Sequence, residues 1–134
     1  MSAAANFAAT PNSSGAQVTT ANTNLDGTGT LATIFTAGAS GSRLDSVKIK
    51  GQVAEGAQQA ADSVRLFWYD GTNYHLFLEQ LVPAGGAVVS ATVANVEFLI
   101  PLGITVKTGW VLKASTHVGG ATATYQVTAF GGDY

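Results

Sequence analysis

From Gln17 onward the chain alternates short runs of Val, Ile, Thr, Phe and Tyr with clusters of Gly, Asn, Asp and Pro. Apolar positions recur at every second residue rather than at helical spacing, and runs of this kind bounded by turn-forming residues predict consecutive strands. The candidates are residues 17–21, 30–36, 45–53, 63–69, 74–82, 93–102, 110–116 and 122–130. The sharpest punctuation is Tyr69-Asp70-Gly71-Thr72-Asn73-Tyr74, where Asp-Gly and Asn tolerate the backbone of a tight turn and predict a hairpin. About eight strands without a helical segment predict an all-β chain: a single-domain antiparallel β-sandwich, jelly-roll-like or immunoglobulin-like.

Successive strand side chains point to opposite sides, so each run separates an inner from an outer face. In 46–53 the division is clean, with Val47, Ile49 and Val53 inward and Lys48, Lys50 and Gln52 outward. Neighbouring runs are apolar on both faces. Val64, Leu66 and Trp68 stand opposite Phe67 and Tyr69; Tyr74, Leu76, Leu78 and Val82 opposite Phe77 and Leu81; Val96, Phe98, Ile100 and Leu102 opposite Leu99. A contiguous apolar patch looking outward marks a protein–protein interface, coverage by a long loop being the alternative. The candidate interface residues are therefore Phe67, Tyr69, Phe77, Leu81 and Leu99, and self-association is expected.

Charged residues are only 10% of the 134-residue chain, six basic and eight acidic, against roughly a quarter in an ordinary soluble domain. The surface must then be built from Thr, Ser, Asn, Gln, Gly and Ala. This length suits one core, and the expected organisation is an extended N-terminal arm over residues 1–16 and a β-sandwich over 17–134. The Ala, Thr, Ser and Asn of the arm bury too little to offset the entropy of ordering them, so a partner's surface would have to order it. Deleting the arm should then leave the melting temperature of the isolated domain unchanged. A formal net charge of -2 gives no electrostatic footprint for nucleic acid. The N-terminus lacks the basic and apolar regions of a signal peptide, and no stretch approaches the roughly 18 apolar residues that span a bilayer. Neither export by the usual route nor a membrane partner is expected.

Candidate chemistry is sparse. With no cysteine, thiolate metal sites and cysteine nucleophiles are excluded. Gly27-Thr28-Gly29-Thr30-Leu31-Ala32 has a loose dinucleotide-binding spacing, but strand-like residues follow where a helix is required, so it reads as a turn. Gly38-Ala39-Ser40-Gly41-Ser42 lacks the spacing of a nucleophile elbow. His75 and His117 stand alone, without metal-ligand spacing, and the carboxylates are scattered, leaving only Glu79 and Glu97 as a pair that folding could bring together. Trp68, Tyr69, Tyr74 and Trp110 suit cross-strand packing better than a sugar platform. The expectation is a chain without catalytic, metal-binding or cofactor-binding residues.

The run Val64-Arg65-Leu66-Phe67-Trp68-Tyr69-Asp70-Gly71-Thr72-Asn73-Tyr74-His75-Leu76-Phe77-Leu78-Glu79 stands beside Pro101-Leu102-Gly103, Gly109-Trp110-Val111-Leu112-Lys113-Ala114-Ser115-Thr116 and a terminal Gly131-Gly132-Asp133-Tyr134. Together these segments resemble a family of small proteins from tailed bacteriophages and prophages, over about residues 17–134. The resemblance implies a virion structural component, a capsid decoration or cement protein whose partner is the major capsid protein, on the phage head surface and made in the host cytoplasm. It further implies a homo-oligomer, with a trimer favoured. The alternative in another class is a tail or fibre carbohydrate-binding module for host adsorption, using Trp68, Tyr74 or Trp110.

Overall fold

The computed structural model describes residues 7–85 and 87–134, and among them eight strands and no helix. The strands are β1 (Thr10–Val18), β2 (Ala32–Thr36), β3 (Ser42–Gly51), β4 (Asp62–Tyr69), β5 (Tyr74–Val82), β6 (Glu97–Val106), β7 (Val111–Thr116) and β8 (Tyr125–Asp133). They form two antiparallel sheets, ordered β1-β8-β3-β6 and β2-β7-β4-β5. The chain crosses between sheets at nearly every connection, and this order is that of a jelly roll. An immunoglobulin sandwich would instead place three strands opposite four with a different order, so the sandwich expectation holds and its jelly-roll form is the one adopted.

The inner faces follow the alternation. Leu44, Val47 and Ile49 of β3 and Tyr125, Val127 and Ala129 of β8 meet Val64, Leu66 and Trp68 of β4 and Leu112 and Ala114 of β7. Irregularities re-aim residues where alternation alone fails. A shift between Thr33 and Phe35 lets the adjacent Ile34 and Phe35 both turn into the core.

Residues 10–16, expected in the arm, belong to β1, which pairs with β8 from Thr10↔Asp133 to Val18↔Tyr125. The correction has a simple cause: a strand of small polar residues is held by its backbone ladder, which side-chain burial does not register. Its side chains also close this edge of the sandwich, since Asn12 Nδ2 donates to Thr36 O at 3.0 Å and Ser14 Oγ donates to Ile34 O. Residues 1–6 of the expected arm lie outside the described residues.

Opposite that closed edge, β5 and β6 are both terminal strands and do not pair with each other. Phe77, Leu78, Phe98, Ile100, Leu102 and Ile104 are therefore only partly buried against the core. The two outer faces also differ. The loop over residues 19–31 starts beside β7, where Ala21 bridges Thr116, and reaches β5, where Gly27 lies against Tyr74 so closely that a Cβ would collide with the ring. Gly27 has φ of 88°, which a side chain would strain. Buried Asn22 holds the loop's shape, donating to Thr28 O and Thr30 O at 3.0 and 2.9 Å. The β2-β7-β4-β5 sheet is thus partly roofed.

Candidate functional site

The five candidate interface residues do not form one patch. Phe67 is 0% exposed, outside the main core cluster, on the sheet face crossed by the 19–31 loop. It offers no surface to a partner, which corrects its assignment as an interface residue. Phe77 is half-buried and turned inward, because a register shift between Leu66 and Phe67 pairs Phe67 with Leu76 and frees Phe77 to pack on Trp68, ring centroids 5.9 Å apart. Tyr69 is half-buried and stacks on Tyr74 at 4.5 Å, with Lys113 Nζ over both rings. Leu81 and Leu99 are 71% and 65% exposed, but on different sheets.

The polar candidates are equally dispersed. Glu79 pairs with Arg65 at 3.0 Å on one sheet and Glu97 with Lys48 at 3.0 Å on the other, so the two glutamates do not meet. An Arg65 N–H donates to His117 Nδ1 at 3.1 Å, and since arginine only donates, the imidazole proton sits on Nε2. His75 Nε2 lies 2.9 Å from Asp70 Oδ2, while its ring stacks on Trp110 at 5.8 Å and an interplanar angle of 12°. The Asp70 carboxyl is held down to about 2, chiefly by the Asn73 backbone N–H, then by His75 and by the Thr72 N–H. Both members of this pair hold the predicted hairpin turn, and His75 Nδ1 has no hydrogen-bond partner among the described residues.

Two carboxylates anchor the ends of the sandwich. Asp62 is buried; its Oδ1 accepts from the Ser63 and Val118 backbone N–H groups at 2.7 and 2.9 Å, and its Oδ2 accepts from Thr116 Oγ1 and from Tyr125 OH at 2.9 Å. Burial and then the Asp62 contact push the Tyr125 phenol well above its ordinary value. At the other end Asp133 accepts from Ser42 Oγ at 2.5 Å and Asn12 Nδ2 at 2.8 Å, bonds that hold its carboxyl below the usual range. Gly131 beside it lies where a Cβ would strike the Arg43 carbonyl. The terminal Gly-Gly-Asp-Tyr segment is therefore a packing and capping device. Among the described residues no cluster of three or more His, Asp or Glu could hold a metal ion.

What remains open is the outer face of the β1-β8-β3-β6 sheet. Strand register lines up Ser13, Phe130, Ser46 and Pro101 in one row, Gly15, Thr128, Lys48 and Leu99 in the next, and Gln17, Gln126, Lys50 and Glu97 in a third. Phe130 is 41% exposed and Leu99 65%. The charges of this face largely satisfy one another, with Glu97 Oε1 at 3.0 Å from Lys48 and 3.9 Å from Lys50. Of these residues the sequence reading singled out only Leu99 as an interface candidate; Phe130, Pro101 and Gly15 join it through pairing between distant segments.

A cleft lies where β6 passes into β7. Trp110 is half-buried and Trp68 lies beneath it, ring centroids 6.2 Å apart, and with Ile104, Thr105, Val106 and Lys107 they line a cleft of about 240 Å³. Tyr74, on the opposite side of β4's sheet, takes no part in it. No family model, curated protein or solved structure matches this chain.

Proposed function

We propose that this chain is a bacteriophage virion structural protein, a capsid decoration or cement protein that binds the outer head surface and stabilises the shell. The observation that carries the reading is the uncovered face of the β1-β8-β3-β6 sheet. It is broad and built mostly of small or uncharged side chains, with Leu99, Pro101 and Phe130 exposed and its lysines shared with Glu97. Such a face suits association over area. Few charges must be stripped of water, while exposed apolar groups gain about 25 cal/mol per Å² removed from it. The phage assignment rests on the sequence resemblance, and the sheet face gives it a mode of attachment. Self-association as a trimer, which the resemblance implies, belongs to the same proposal.

The reading is of a binding rather than a catalytic protein. The His75–Asp70 pair is engaged by the hairpin and by Trp110, and the buried Asp62 is surrounded by donors, so these groups serve the fold. Co-sedimentation with undecorated heads tests the proposal: wild type should pellet with heads, and Leu99→Glu should pellet to a clearly smaller extent at the same concentration. Equal recovery of both proteins would remove the sheet face from the contact.

A further inference from the structure

The Trp68–Trp110 cleft lies at one end of the sandwich and shares no residue with the rows of the open sheet face. One wall is aromatic, the other is Ile104 and Val106, and Thr105 and Lys107 supply the polar groups. Lys107 is singular among the basic residues. Arg43, Lys48, Lys50 and Arg65 each have a carboxylate partner and Lys113 lies over two tyrosine rings, whereas Lys107 has neither among the described residues. The cleft opens into a shallower depression of about 530 Å³ that shares Thr105, Val106 and Lys107 and continues over Ser40, Gly41, Thr108 and Tyr134. Lys107 therefore stands between an apolar, ring-sized cleft and a hydroxyl-rich shelf.

We propose that this end of the sandwich binds an acidic oligosaccharide. One pyranose ring packs its C–H groups against the part of Trp110 that His75 and Trp68 leave exposed, its carboxylate or that of the next sugar meets Lys107, and the adjoining ring lies over the Ser40–Tyr134 shelf. The chemistry selects this class in three steps. At about 240 Å³ the cleft is just below the ~300–1,000 Å³ of sites for drug-sized ligands, so it admits one small ring. It is open to solvent on one side, where a polyhydroxylated ring keeps its outer face in water and a fully apolar ligand does not. The unpartnered ammonium adds a preference for an anionic substituent over a neutral one.

Intrinsic tryptophan emission and amide chemical shifts, read during titration of the full chain, test this with three probes: a glucuronate-containing hyaluronan tetrasaccharide, neutral cellotetraose, and polyglutamate. The acidic tetrasaccharide should change the emission saturably and shift amides of residues 104–110. The neutral one should bind about fivefold more weakly, the scale of a solvent-exposed charge contact. Polyglutamate should leave the emission unchanged. Lys107→Gln, at an exposed position, should retain the fold and abolish the preference for the acidic sugar; Trp110→Ala should abolish binding of both sugars. No saturable change with the acidic tetrasaccharide overturns the proposal, as does an equal response to polyglutamate or an undiminished acidic preference in Lys107→Gln. Lys107→Gln should bind phage heads like wild type, so the test is independent of the cement reading.

Discussion

Asp62 offers the sharpest test of how the jelly roll is held together. Its carboxylate receives four donors, the Ser63 and Val118 N–H groups on Oδ1 and the Thr116 and Tyr125 hydroxyls on Oδ2, and it ties the start of β4 to the end of β7 and the start of β8. Asp62→Ala removes every acceptor at once. Thr116 and Tyr125 are 0% exposed, so their hydroxyl protons have no water to turn to. Each buried donor left unpaired costs about 1–3 kcal/mol, and with partial relaxation the total should reach about 3–5 kcal/mol. That is a large fraction of the ~5–15 kcal/mol that stabilises a typical domain. Asp62→Asn should cost less than Asp62→Ala, because its amide oxygen can keep both backbone N–H bonds and its NH₂ can donate to the hydroxyl oxygens, so that only the two hydroxyl protons lose their acceptor. Urea unfolding followed by tryptophan emission, with the slope checked for constancy, measures both. A loss below 1 kcal/mol for Asp62→Ala, or equal losses for the two variants, would refute the reasoning.

Alkali should destabilise the fold. The Tyr125 phenol is raised above its ordinary value of 10.0, so the unfolded chain ionises first and stability present below about pH 10 is lost as pH rises toward the folded value; Tyr125→Phe should flatten this decline in melting temperature between pH 9 and 11. Deleting residues 1–16 should lower the melting temperature, since most of β1 goes and β8 becomes an unprotected edge; an unchanged value would restore the arm reading. Phe77→Asp should unfold or strongly destabilise the chain by about 2–4 kcal/mol in the same urea assay, because the ring packs on Trp68 and the core. A variant as stable as wild type would mean that Phe77 faces outward after all.

Strand existence was legible because period-two alternation and Gly, Asn and Asp punctuation are local properties. The hairpin turn at Asp70 to Asn73 and the whole span of β5 stand where the pattern puts them. What was not legible depends on chain segments meeting from afar. β1 carries little hydrophobic signal, and its order comes from a ladder to residues more than a hundred positions away. Phe67 is apolar on an outer face, and nothing local says that the 19–31 loop, shaped by Asn22, crosses that face. A single register shift opposite β4 reverses the phase of Phe77, so strict alternation assigned it to the wrong side. The open face is likewise a product of register: Phe130, Ser46 and Pro101 become neighbours only once β8, β3 and β6 align.

The cement reading stands most directly on stoichiometric attachment to heads through the open sheet. Purified chain titrated onto undecorated, expanded heads should saturate at a fixed number of copies per capsomer, and saturated heads should retain their DNA to a higher temperature than bare ones. Leu99 is 65% exposed in the free chain, so burying it contributes about 1–2 kcal/mol, and Leu99→Glu should weaken attachment by about 5- to 30-fold. Its own melting temperature should stay near that of wild type. Saturable binding that Leu99→Glu weakens, with thermal protection of the head, is the predicted result; no saturable binding, or decorated heads no more stable than bare ones, would contradict it.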